Sequence, residues 1–550
     1  MIIHSTGTLP IFNGTVTDYL RTKPSYSSTD PAYIDVVTGN SISYSEVWKL
    51  ADRLSSALYN DYGLTDAKPD ENVGPVVMLH AVNSPLQASV HYALLDLGVT
   101  ITPAAATYEA GDLAHQIKVC SPSLVICNQQ FEPKVKSASS NTKLIFIEDL
   151  LKTQSSAPWK KFTTSNPNRV AYLGMSSGTS GLPKAVQQTH INMSSSTEAV
   201  ISSQTMFSAR KNVTAAIVPM THVYGLTKFV FHSVAGSMTT VVFPKFSLVD
   251  LLEAQIKYKI NILYLVPPVV LALAKDSRVQ PYIKSICELT TLIATGAAPL
   301  PPTAGDALLE RLTGNKEGNR DNGMDPLVLI QGYGLTETLQ VSVFKPEDPE
   351  RDLKTVGKLL PNTEVRIVGE KGDVPRSKWS FVTPPTGEIY IRGPHVTPGY
   401  FNNDSANSES FDGEWLKTGD IGYMDLEGRL TIVDRNKEMI KVNGRQVAPA
   451  EIESVLLGHP MVKDVAVIGV TNPDRGTESA RAFLVTEARA LPVIKQWFDR
   501  RVPSYKRLYG GIVVVDAIPK SASGKILRRV LRERKGDSVF GEYVEEVAKL

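Results

Sequence analysis

The chain has 550 residues, a formal net charge of +2, 42% hydrophobic and 21% charged residues. At about 100–200 residues per domain this length allows three or four folding units at most. The near-neutral balance gives no reason to expect nucleic acid or an anionic membrane as partner. The three cysteines, Cys120, Cys127 and Cys287, form no C-x-x-C pair, and the nine histidines include no H-E-x-x-H motif. A disulfide framework, a cysteine-rich zinc site and a dedicated metal cage are therefore not expected.

Met1 to Thr6 shows no basic region followed by an apolar run, which argues against a secretory signal. In chain order, Val76–Leu79, Leu124–Cys127 and Leu144–Ile147 read as buried strands, with Gln87–Leu97 and Gly111–Val119 as helices between them. This alternation predicts an α/β body of parallel sheets with helices on their faces. Val170–Leu173 reads as a further strand. The longest apolar stretch, Ile262 to Ala274, is too short to span a bilayer and contains Pro267-Pro268. A second unit of α+β type is expected after Asp434. It would hold a helix at 448–457, strands at 464–470 and 482–486, a helix at 492–501, a strand at 511–515 and a basic helix from Gly524 to about Arg534. The junction, Val433-Asp434-Arg435-Asn436-Lys437, is charged and suits a short hinge better than a floppy linker.

Three segments carry chemistry. The first, Met175-Ser176-Ser177-Gly178-Thr179-Ser180-Gly181-Leu182-Pro183-Lys184, combines hydroxyls, glycines and a lysine that can wrap phosphate oxygens. Its spacing, G-x-x-G-x-x-K, is not that of a Walker loop; an ordinary Ser/Gly surface loop is the alternative, against which the closing Pro183-Lys184 speaks. In the second, Gln331-Gly332-Tyr333-Gly334-Leu335-Thr336-Glu337-Thr338, an aromatic between glycines can lie against a purine. There Thr336 can bond a phosphate and Glu337 offers a hard oxygen to Mg²⁺, although a glycine-rich turn would look the same. In the third, Trp415-Leu416-Lys417-Thr418-Gly419-Asp420, a carboxylate after a turn can accept ribose hydroxyls. Alone it reads more readily as a turn.

With Ile432-Val433-Asp434-Arg435, the run Lys441 to Pro449 and Pro519-Lys520-Ser521-Ala522-Ser523-Gly524-Lys525, these segments stand in the order of a known family. From about residue 30 to residue 535 the chain resembles the adenylate-forming superfamily of acyl-CoA synthetases, 4-coumarate–CoA ligases, luciferases and adenylation domains. Pro219 to Tyr224 and Gly296-Ala297-Ala298-Pro299-Leu300 look most like the 4-coumarate–CoA ligase branch.

The resemblance implies a large N-terminal domain, residues 1–434, of parallel sheets flanked by helices plus a β-barrel-like subdomain. A small mobile α+β domain, 435–550, would follow it. It also implies an acyl-CoA ligase using ATP, Mg²⁺ and coenzyme A on a carboxylic acid of aromatic or medium-chain, polyketide type. Loading of a carrier protein is the alternative, but Pro219 to Phe229 holds no acid to take an amino group. The implied nucleotide contacts are Ser176 to Gly181 and Lys184 at the β- and γ-phosphates and Thr336 at the α-phosphate. Glu337 would bind Mg²⁺. Gly296, Ala297, Gln331, Gly332 and Tyr333 would lie around adenine, with Asp420 and Arg435 at the ribose. Lys525 would bridge carboxylate and α-phosphate oxygens. After rotation about Lys437, Lys441, Gly444 and Gln446 would serve the thiol step. The acyl pocket would form around His222, Tyr224, Ala298, Gly334 and Leu339. Lys228 stands where a small residue is usual, and it is expected to snorkel to solvent or to meet a second polar group on the substrate. Leu339-Gln340 replaces a usual Gly-Pro pair, and Asn443 and Arg445 also depart from the common ligase pattern.

The last residues, Ala548-Lys549-Leu550, resemble the S-K-L type of peroxisomal address read by an import receptor. The expected location is therefore the peroxisome, or otherwise the cytoplasm.

Overall fold

The fold is taken from a computed structural model that describes residues 2–23, 27–65, 67–176, 182–203, 211–320, 324–344, 352–380, 384–443, 445–472, 477–521 and 524–542. Two largely parallel sheets form its body. The first has six strands in the order Leu144–Phe146, Leu124–Cys127, Val76–His80, Thr100–Ala104, Val170–Ser176 and Lys184–Thr189, of which only the last runs antiparallel to its neighbour. The second has nine strands, with a parallel centre from Val328–Leu335 through Leu292–Thr295, Ile262–Leu265, Val213–Ala216 and Thr239–Val242 to Pro31–Asp35.

Strands buried on both faces need no alternation, which is why Leu124-Val125-Ile126-Cys127 and Ile262-Leu263-Tyr264-Leu265 are unbroken apolar runs, buried at every position. The helix Gln87–Asp96 is likewise buried along its whole length between its neighbours. Tyr44–Asn60 is instead a surface helix with one buried stripe, started by a capping box in which Ser43 and Glu46 bond each other's backbone amides.

A third sheet is antiparallel and built from Ile3–His4, Glu364–Gly369, Gly387–Arg392, Trp415–Met424 and Phe411–Asp412, with Gly372–Asp373 and Leu430–Arg435 paired at its side. Gly387–Arg392 alternates buried and half-buried positions, as a sheet with one wetter face requires. This sheet stands where a β-barrel-like subdomain is expected. It is open among the described residues, with no pairing that closes its edges.

The chain leaves this sheet at Arg435 through a short 3₁₀ turn, Asn436–Glu438, and the hairpin Ile440–Val442 with Arg445–Val447. It then builds a four-stranded sheet from Asp464–Asn472, Thr477–Val485, Ile512–Val514 and Val539–Phe540, with helices Pro449–Leu457 and Leu491–Asp499. The elements expected here are present, each shifted by a few residues at most, except the last helix.

That helix covers only Arg528–Arg532, so the expected start at Gly524 is corrected. The described residues on either side of positions 522–523 fold back on one another. Lys520 bridges Ile526, Leu527 N–H donates to Pro519 O at 2.8 Å, and Gly524 N–H donates to Ser521 O at 2.8 Å. Gly524 has φ +79°, a backbone state that L side chains disfavour. A Cβ on it would press on Pro268 Cδ at 3.1 Å and on Val266 at 3.2 Å. Arg528 anchors the loop through a buried pair with Glu453 at 2.7 Å. The lysine is therefore presented on a turn. No helix among the described residues is long and apolar enough to cross a membrane.

Candidate active site

A cleft of about 500 Å³ lies where the parallel sheets, the antiparallel sheet and the Lys525 loop meet. One wall comes from the strand pair Val170–Ser176 and Lys184–Thr189, whose register sets Ser176 opposite Lys184. Both line the cleft. The Ser176 hydroxyl is buried without a hydrogen-bond partner among the described residues, and the Lys184 ammonium lies over the Tyr400 ring at 5.0 Å. Ser177, Gly178, Thr179, Ser180 and Gly181 lie outside the described residues.

The floor follows from the strand Val328–Leu335 and the turn after it. Gly332, Tyr333, Gly334, Thr336, Glu337 and Leu339 all face the cleft. A Cβ at Gly334 would fall 1.9 Å from Leu339 O, so only glycine permits the turn that brings Thr336 and Glu337 round. Two bonds fix that turn: Gln188 Nε2 donates to Thr336 O at 2.9 Å, and Thr397 N–H donates to Glu337 O at 2.8 Å. The Tyr400 hydroxyl donates to Glu337 Oε1 at 3.0 Å, which holds one carboxylate oxygen in place. Gln331 does not line the cleft; its side-chain oxygen accepts from Leu300 N–H at 2.8 Å, and its amide nitrogen donates to backbone carbonyls.

Gly296 and Ala297 line the opposite side, Ala297 with φ +69°. Ala298 is half-buried beside them and does not line the cleft. The Tyr224 ring packs under Gly296, 3.4 Å from where a Cβ would stand.

Asp420 sits behind the lining residues, engaged on both oxygens. Tyr333 donates its hydroxyl to Oδ2 at 2.6 Å, and Arg435 Nε lies 3.3 Å from Oδ1. Burial raises the Asp420 pKa, against the opposing pull of Arg435. Arg435, Lys437 and Lys525 all line the cleft. Burial lowers the Lys525 pKa to about 8, with Arg435 adding to the shift and Asp420 and Glu337 opposing it. His222 accepts from Tyr224 N–H through Nδ1 at 3.3 Å, and burial, then Lys525, lowers its pKa to about 4.

The end of the cleft expected to take the acyl group holds residues that sequence reasoning ranked wrongly or missed. Lys228 does not snorkel: it is 5% exposed and lines the cleft. Its Nζ donates to Gln340 Oε1 at 2.7 Å, lies 3.3 Å from His232 Nδ1 and sits 5.0 Å from the Tyr264 ring centroid. Tyr264, Gln340, Thr227 and Tyr400 all line the cleft without having been expected there. For Gln340 the departure from Gly-Pro was the available signal; Tyr264 looks like any core strand residue.

Lys441 and Gln446 are exposed and face each other across the 440–447 hairpin, outside the cleft-lining set. The Lys441 amide N–H donates to Glu478 Oε2 at 2.7 Å. Gly444 lies outside the described residues, as do Ala548, Lys549 and Leu550.

The sequence matches the AMP-binding enzyme family over residues 21–401 and the AMP-binding enzyme C-terminal domain over 451–525. The chain belongs to the AMP-binding enzyme family. It is 33% identical over 526 residues to 4-coumarate–CoA ligase 1 of Petroselinum crispum, covering 91% of this chain and 90% of that protein. It is 30% identical over 522 residues to peroxisomal OPC-8:0-CoA ligase 1 of Arabidopsis thaliana, with 91% and 90% covered. Among solved structures it matches o-succinylbenzoate CoA synthetase of Bacillus subtilis in complex with its acyl-adenylate intermediate. That match has a TM-score of 0.78, 25% identity, and covers 95% of this chain and 99% of that one. This AMP-binding enzyme is accordingly an ATP-dependent, AMP-forming acid–CoA ligase.

Proposed function

We propose that the cleft joins an aromatic or medium-chain, polyketide-type carboxylic acid to ATP, and that the same chain then transfers the acyl group to coenzyme A. In the first step a carboxylate oxygen attacks the α-phosphorus, the bond from that phosphorus to the bridging oxygen breaks, and pyrophosphate leaves. In the second, the thiol sulfur attacks the acyl carbon and AMP departs, the thiol proton passing to solvent. The observation that carries this reading is the placement of Lys525 in one cleft with Thr336, Glu337 and His222, while Lys441 and Gln446 remain outside.

In this arrangement Lys525 neutralises charge shared between carboxylate and α-phosphate. Thr336 and Ser176, whose hydroxyl has no partner among the described residues, donate to phosphate oxygens, Lys184 adds a cation, and Arg435 stands at the ribose beside Asp420. Glu337, in the cleft with one carboxylate oxygen held by Tyr400, would hold a Mg²⁺ together with the nucleotide's own phosphates, where the ion would supply charge neutralisation. His222, neutral near pH 7, closes the acyl side without adding a second positive charge.

The proposal divides the chain at 434/435 and makes Lys437 the hinge that brings Lys441, Gly444 and Gln446 to the thiol step. Lys441→Ala is expected to slow thiolysis of supplied acyl-adenylate by about ten- to a hundred-fold, while pyrophosphate release stays within a few-fold of wild type. Single-turnover assays of each half-reaction check this. A pyrophosphate-release screen over a carboxylic-acid panel, with mass detection of acyl-CoA, tests the reading as a whole. Acyl transfer to a carrier-protein thiol in place of CoA would show instead that the chain is a stand-alone adenylation enzyme.

A peroxisomal setting belongs to the same proposal, supported by the similarity to a peroxisomal OPC-8:0-CoA ligase. A fluorescent protein fused ahead of Met1 should be punctate in a eukaryotic cell and turn diffuse when one residue is appended after Leu550. A diffuse unmodified fusion would remove Ala548-Lys549-Leu550 as an address.

A further inference from the structure

The acyl end of the cleft is polar where an apolar acid would need it apolar. Lys228 is carried on a π-helical segment, Leu226–His232, in which Ser233 N–H donates back to Lys228 O. Such widened turns recur at functional sites because they aim a side chain away from its usual helical track. Here the aim is inward, with Lys228 as a whole only 5% exposed.

An ammonium has three donors. One goes to Gln340 Oε1 at 2.7 Å and one points to His232 Nδ1 at 3.3 Å, which leaves a third. Among the described residues no carboxylate lies within ion-pair distance of Lys228 to balance the charge. Beside it the Tyr264 hydroxyl is buried and has no hydrogen-bond partner among the described residues, although Tyr264 lines the cleft. The third Lys228 proton and the Tyr264 hydroxyl thus have no acceptor among the described residues, and both side chains belong to the lining of the cleft. Buried polar groups are normally satisfied, and a buried, unbalanced ammonium costs more than an apolar side chain of the same size. Burial also lowers the Lys228 pKa to about 7, as expected for a cation waiting for its counter-charge.

We propose that Lys228 and Tyr264 form a carboxylate-binding subsite, buttressed by Gln340, so that the preferred substrate is an acid bearing a second carboxylate at the end remote from the reacting one. This deepens the ligase reading and rests on it. The two oxygens of the remote carboxylate accept from the Lys228 ammonium and the Tyr264 hydroxyl, while Gln340 and His232 keep the lysine from turning away. The reacting carboxylate is left to Lys525 at the other end.

The test compares matched acids on the full-length protein: octanoate against octanedioate, and 3-phenylpropanoate against 3-(4-carboxyphenyl)propanoate. The readouts are pyrophosphate release and acyl-CoA formation. Wild type should favour the diacid of at least one pair in kcat/KM. Lys228→Met should lower the diacid-to-monoacid ratio by at least about thirty-fold, and Tyr264→Phe by about ten-fold. Lys228→Met removes a buried charge and should melt no lower than wild type. If it fails to fold, Tyr264→Phe and Gln340→Leu read the same ratio.

A wild type that prefers the monoacid in both pairs, or a ratio unmoved by these substitutions, overturns the subsite and leaves the ligase reading standing. If no acid of any kind releases pyrophosphate, the ligase reading fails. The subsite is then judged by calorimetry of octanedioate binding in the presence of AMP. Binding that Lys228→Met abolishes supports it, and binding that is absent or equal in both proteins overturns it.

Discussion

Lys525→Ala should lower single-turnover pyrophosphate release by about two to three orders of magnitude, while thiolysis of supplied acyl-adenylate survives. Removing one preorganised group aimed at developing charge typically costs that much. Lys525 lies in the cleft with its charge partly desolvated, and there it acts far more strongly than a solvated lysine would. Its lowered pKa adds a pH signature. The protonated form is the useful one, so kcat/KM for the first step should be full below pH 8 and fall as pH rises through about 8. Lys525→Arg keeps the charge and should move that limb to higher pH, even if its fork fits poorly. Equal damage to both half-reactions in Lys525→Ala and Lys441→Ala would defeat the assignment of one lysine to each step.

The second large effect is expected at Gly334. An added methyl would stand 1.9 Å from Leu339 O and 3.0 Å from Gln340 Cα, and both obstacles are backbone. The strand pair must therefore open at the irregularity it already carries between Tyr333 and Gly334. Overpacking of this kind costs about 1–3 kcal/mol. Shifting Thr336, Glu337 and Gln340 by even about 1 Å should cost roughly a hundred-fold in kcat. Gly334→Ala is thus expected to melt lower and to lose nearly all pyrophosphate release. Gly111→Ala, in a helix with nothing within 4 Å of the new methyl, is the matching control and should be neutral or slightly stabilising. Equal behaviour of the two variants would show that the Gly334 turn is not what holds the site.

Much of the body was legible because its signals are local. Leu124–Cys127 forms at the expected residues, since an unbroken apolar run between turn signals has few other fates in an α/β chain. The Lys525 loop was misread as a helix because Lys525 to Arg534 has good helix formers. Its fold-back depends on Pro519, Ser521 and the positive φ of Gly524, which helix propensity does not register. For Lys228, placed in the pocket by the resemblance, only the snorkelling alternative fails, for a related reason. Snorkelling is the common outcome for a lone lysine on an apolar helix, but the partners that hold this one, Gln340 and Tyr264, arrive from strands far along the chain. Asp420 was legible as a carboxylate at a turn. Its ion pair with Arg435 depends on cross-strand register, and its bond from Tyr333 on two separate sheets meeting at the cleft. Spacing alone could identify the parts of the site but not which of them were already in contact.

The seat of the lysine loop has a consequence for selectivity. Gly524 rests against Val266 and Pro268, and Val266 directly follows the strand Ile262–Leu265 that carries Tyr264 to the acyl end. The segment proposed to meet the substrate's far end therefore runs straight into the residues that bear the loop presenting Lys525. An acid that fits badly and displaces Tyr264 therefore tilts the platform on which that loop settles. Discrimination between acids should then appear as turnover more than as occupancy: poor substrates would bind, hold the cleft, and react slowly.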